Sequence, residues 1–69
     1  MVEVFKTNVE CPVEAAMLVK KLARQLPACK INFDLSDCDN ILRIEGEGIE
    51  LPAVVTIMQD DNYECVALE

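Results

Sequence analysis

A chain of 69 residues is long enough for one domain and too short for two, and folding at this size hides only about 60% of the surface the unfolded chain exposes. A hydrophobic fraction of 52% argues for a folded globule, and with no Trp, one Tyr and two Phe its core must be aliphatic. Thirteen acidic residues against six basic ones leave a net charge of −7, which speaks against nucleic acid and anionic membrane surfaces as partners, since either needs a cationic patch.

The chain opens on "VEVFKTNV", residues 2–9, rich in β-branched and aromatic types and alternating at first, which predicts a strand. The alternation slips between Val4 and Phe5, so two choices of inward face remain open. Pro12 suits the first position of a helix, where its missing N–H costs nothing. Ala15, Leu18, Val19, Leu22 and Leu26 then recur at three- and four-residue steps as one apolar stripe. Glu14 in the first turn, with Lys20, Lys21 and Arg24 toward the end, suits the helix dipole, and Pro27 stops the helix.

"KINFDLSD" sets Ile31, Phe33 and Leu35 on one face and Lys30, Asn32 and Asp34 on the other, the cleanest strand pattern in the chain. "SDCDN" supplies turn residues whose side chains bond their own backbone and tolerate left-handed angles. "ILRIEGEGI" returns as a hairpin partner with Leu42 and Ile44 inward, closed by Gly46 and Gly48. Pro52 opens a shorter helix with Leu51, Val54, Val55 and Met58 on one side, and Asn62 fits a left-handed cap. "YECVALE" ends the series as a fourth strand.

The order βαββαβ predicts an α+β fold. Two helices of this length can bury their stripes only against one face of a four-stranded sheet, with right-handed crossovers. That arrangement is the ferredoxin-like two-layer sandwich, an antiparallel sheet of strand order 4-1-3-2, as one domain over residues 1–69. Val66 and Leu68 then fall on the open face, inviting a protein partner or a second copy, unless the last strand is phased the other way.

Three local matches make the chain resemble a heavy-metal-associated domain, the βαββαβ module of copper chaperones and metal-pumping ATPases. Val9-Glu10-Cys11-Pro12-Val13-Glu14 stands where that family carries Met-x-Cys-x-x-Cys, Leu51 to Met58 stands where its second helix begins, and Asn62-Tyr63 stands in place of Gly-Tyr. The resemblance implies that Val9 is a buried plug and Cys11 the first thiolate. Glu14 replaces the second cysteine, so the defining motif is incomplete.

This departure matters chemically, because soft Cu(I) selects thiolates whereas a carboxylate suits Zn(II), which wants about four ligands. Topology places Cys11 and Glu14 at the same end as the turn holding Asp37, Cys38 and Asp39, and as Asp60 and Asp61. Cys11, Glu14 and Cys38 are therefore the candidate metal ligands. On the plainer reading Glu14 at the third helical position reaches back to the helix start as half of a capping box, Cys11 is a small semi-buried side chain, and the carboxylates decorate solvated turns. Cys29 and Cys65 read as packing residues.

There is no His, no Gly-rich phosphate loop and a single Ser in a turn, so no catalytic residue is assigned. With no export pattern at its start and widely spaced cysteines, the chain is expected to be cytoplasmic with reduced thiols. The expectation is thus a non-catalytic, heavy-metal-associated-like module with a degenerate metal loop and no cofactor, binding a protein partner or itself. The alternative is Cu(I) or Zn(II) binding or transfer through Cys11. A redox role for the Cys11 thiol is a third possibility.

Overall fold

The structure is a computed structural model and describes residues 1–36 and 40–68. Its elements follow the chain as β1 (Val2–Thr7), α1 (Pro12–Gln25), β2 (Lys30–Asp34), β3 (Ile41–Glu45), α2 (Leu51–Asp60) and β4 (Cys65–Leu68). All the expected elements are present, most of them shorter than expected. β1 stops at Thr7, Leu35 lies past the end of β2, β3 ends before Gly46, and β4 begins at Cys65 rather than at Tyr63. The α1 helix ends at Gln25, ahead of the residue preceding Pro27, because a proline disfavours helical angles in the residue before it.

The fold is α+β, with one antiparallel sheet in the order β2-β3-β1-β4, which is the expected 4-1-3-2 read from its other edge. Period-two burial shows which side the helices cover. Phe5 and Thr7 of β1, Leu42 and Ile44 of β3 and Cys65 of β4 are buried, while Lys6, Arg43 and Val66 beside them are exposed. This settles the slipped alternation in β1: Phe5 points to the helices, and Val2, Val4 and Lys6 point away.

Leu18 and Leu22 of α1 and Val54 and Met58 of α2 close the core over Phe5, Leu42 and Ile44. Leu22 and Met58 are fully buried, and each such side chain contributes roughly 1.5–3 kcal/mol relative to exposure. Leu51 and Val55, expected on the buried face of α2, are half-buried at its flanks. Asn62 holds a left-handed φ of 65° after α2, as its type suggested, and Asn40 holds one of 48° before β3. The expected turn residues Asp37, Cys38 and Asp39 lie outside the described residues.

Candidate functional site

One end of the sheet gathers the loop after β1, the turn before β3 and the loop before β4. Thr7, the last residue of β1, is buried with its hydroxyl donating to the Asn40 carbonyl at 2.6 Å and accepting from the Val9 N–H at 3.2 Å. A buried hydroxyl used in both directions is satisfied, and it clamps two loops together. The Asn8 amide oxygen accepts the Glu64 N–H at 2.8 Å, tying in the third loop. Val9 is fully buried beneath them.

Cys11 sits on top of this clamp at the start of α1. Its backbone is extended (φ −95°, ψ 123°), Pro12 follows at the first helical position, and the thiol makes no capping hydrogen bond. The thiol is exposed, a correction to the semi-buried side chain expected. In this loop it is Val9, two residues earlier, that is fully buried.

Glu14 does more than begin a helix. Its carboxylate lines the same depression as the Tyr63 hydroxyl, and the acceptor it offers, followed by burial and by the charges of Glu14, Asp61 and Cys11, pushes the phenol up to about 12. Two turns along, the Lys21 ammonium holds both oxygens of Asp61, at 2.8 and 2.6 Å. Glu14, Leu18, Lys21, Asp61 and Tyr63, with Met17 at the rim, line an open depression of about 230 Å³. Two of its polar groups, Lys21 and Asp61, are paired with each other.

Of the three candidate ligands, Cys11 and Glu14 thus share a helix start, and Cys38 lies outside the described residues. Among the described residues no group of three His, Cys, Asp or Glu side chains converges closely enough to hold a metal ion. Cys65 is buried in the core and burial alone pushes its thiol up to about 11. Cys29 packs at the core's edge with its Sγ 3.8 Å from the Glu47 carbonyl. Both are packing residues, as their positions suggested.

The second surface is the sheet face away from the helices. Val66 and Leu68 are 60% and 41% exposed there while Cys65 is buried, so of the two phases left open by the sequence the last strand takes the one that turns Val66 and Leu68 outward. Register sets Val4 beside Leu68 and Lys6 beside Val66, and Val2, 52% exposed, extends the apolar strip. Lys6, Arg43 and Lys30 stand on this face with only Asp34 and Glu45 as counter-charges, so an acidic chain turns its least negative side outward here.

Sequence reasoning missed Thr7, read Lys21 only as a charge suiting the helix dipole, and read Tyr63 only as a strand residue and as part of the Asn62-Tyr63 match. Thr7 carried a faint signal, a hydroxyl at the end of an apolar strand next to a turn-forming Asn. The partners of Tyr63 and Lys21 carried none, because they lie in distant segments. Comparisons with protein-family models, with curated proteins and with solved structures find no match to this chain. No helix among the described residues is long and apolar enough to cross a membrane.

Proposed function

We propose that this chain is a non-catalytic association module, a ferredoxin-like sandwich of heavy-metal-associated type with a degenerate metal loop, which binds a protein through its open sheet face. The observation that carries this reading is the exposed strip Val2, Val66 and Leu68, in phase on a face whose charges nearly balance. Contiguous exposed apolar side chains rimmed by polar ones mark interaction surfaces, and the β-branched residues here gain by being covered. A photo-reactive amino acid placed at Val66 in the producing cells tests it. A discrete adduct at that position, missing when the label replaces exposed Lys20 and abolished by Leu68→Lys, is expected. Identical adducts at both positions, or none at Val66, would overturn the reading.

The competing reading is soft-metal binding, and the exposed Cys11 thiol at the helix start is the observation in its favour. Within the loop itself Cys11 and Glu14 offer two ligands, below the four that Zn(II) favours and with one sulfur fewer than the family's Cu(I) loop, and Cys38, the other candidate, lies outside the described residues. Competitive Cu(I) and Zn(II) titration of the reduced chain separates the two readings. Tight uptake lost in Cys11→Ser would restore metal transfer as the function.

A further inference from the structure

The sheet has a second unused feature, the outer edge of β2. This strand pairs with β3 on one side only, and an edge strand offers a row of main-chain donors and acceptors to any strand that can lie against it. Beside this edge, between β2 and α1, runs an apolar groove of about 280 Å³ whose lining includes Ala16, Val19, Ile31 and Phe33. The residues of α1 that line it, Pro12, Ala15, Ala16 and Val19, carry no charge. The flank facing α2 carries Glu14 and Lys21.

The residues of β2 say what fits. The strand reads Lys30-Ile31-Asn32-Phe33-Asp34, with a cation at one end, a carboxylate at the other and apolar residues at equal distances from the middle. We propose that the edge of β2 receives the β2 of a second copy, antiparallel and centred on Asn32, giving one continuous eight-stranded sheet with a two-fold axis normal to it. Residues directly opposite in a sheet point to the same face, so only registers that match Asn32 with another outward residue are allowed. Of these, the register centred on Asn32 pairs the whole strand.

In that register Lys30 meets Asp34 of the second copy twice, once on each side of the axis. Lys30 already faces Glu45 across β3, so it then stands between two carboxylates. The Asp34 carboxylate, which accepts from the Ser36 N–H and hydroxyl, orders the strand end that receives it. On the helix side Ile31 meets Phe33, and these half-buried residues are covered beneath two α1 helices whose facing flanks are small and uncharged. A two-fold interface must be complementary to itself, and this strand is.

The inference rests on the reading of the chain as an association module and names one partner and its edge. Sedimentation of the full chain across a range of concentrations tests it. The wild type is expected to form a dimer. Lys30→Asp or Asp34→Lys should each weaken it about tenfold or more, since each turns two attractive cross-strand pairs repulsive. The double swap Lys30→Asp/Asp34→Lys should restore it, which a merely structural role for either residue would not produce. Circular dichroism checks that each variant is folded.

A wild type that stays monomeric at high concentration leaves the edge to a foreign strand and overturns the inference, while the Val66 cross-link would still stand. A dimer indifferent to the swaps but lost in Leu68→Lys overturns it too, because the second copy then sits on the open face. A swap-sensitive dimer without any Val66 adduct upholds the edge and sinks the open-face reading alone.

Discussion

Two glycines that look equivalent in "EGEGI" are held by different constraints. A Cβ built at Gly46 would stand 2.7 Å from the Cys29 Sγ, 3.0 Å from the Cys29 Cα and 3.2 Å from the Ala28 carbonyl oxygen. At Gly48 it would meet nothing within 4 Å, and the only obstacle is a left-handed φ of 68°. Gly46 also holds a φ of 154°, which side chains rarely adopt, so Gly46→Ala is expected to cost about 1–3 kcal/mol through overpacking against backbone that cannot retreat, with backbone strain in addition. Gly48→Ala should cost roughly 1–2 kcal/mol from its backbone angle alone. Adding Cys29→Ala should recover only part of the Gly46→Ala loss, because two of the three close atoms are main chain. Urea unfolding measures all three, and full recovery would show that the thiol alone sets the limit. Turn chemistry was legible at both positions, whereas the close approach depends on Cys29, which lies in another segment.

At the scale of an element, α1 shows what periodicity reveals and what it hides. Its apolar stripe and Pro12 foretold where it starts and which face it buries, and Ala15, Leu18 and Leu22 are buried as expected. The start itself is poorly capped: Cys11 has the backbone of a capping residue but its thiol bonds no helical N–H. A hydroxyl accepts such a bond far better than a thiol does. Cys11→Ser is accordingly expected to raise the unfolding free energy by about 0.5–1 kcal/mol, read from the denaturant midpoint in metal-free buffer. A loss of stability would mean that the thiol makes a contact worth more than the cap. The helix also has two unlike flanks, one ion-paired to Asp61 just past the end of α2 and the other small and uncharged. Stripe patterning marks the buried face but cannot say which neighbour lies on either side of it.

For the molecule as a whole, alkaline pH is the informative variable. Burial holds the Cys65 thiol at about 11 against an ordinary 9.0, and Glu14 with its surroundings holds the Tyr63 phenol at about 12 against 10.0. Both groups keep their protons longer when the chain is folded than when it is unfolded. Their contribution is thus complete below about pH 9 and disappears as pH rises through the folded values. The urea midpoint should hold steady up to about pH 9 and fall progressively by about pH 11, with Cys65→Ala/Tyr63→Phe flattening the decline. A midpoint that rises over this interval would contradict the buried, protonated thiol.

What the sequence determined by itself is the count, kind and order of the elements, the inward faces of β2, β3 and α1, and the left-handed turn at Asn62. Each follows from interactions within a few residues, where side-chain period, proline and turn-forming amides act directly. Only the tertiary structure decided that Phe5 rather than Val4 faces the helices, that Cys11 is exposed, and that Glu14 meets Tyr63 and Lys21 meets Asp61. These depend on which segments pack side by side. Many arrangements of the same local pieces satisfy the local preferences, and it takes the burial of the shared core to select one.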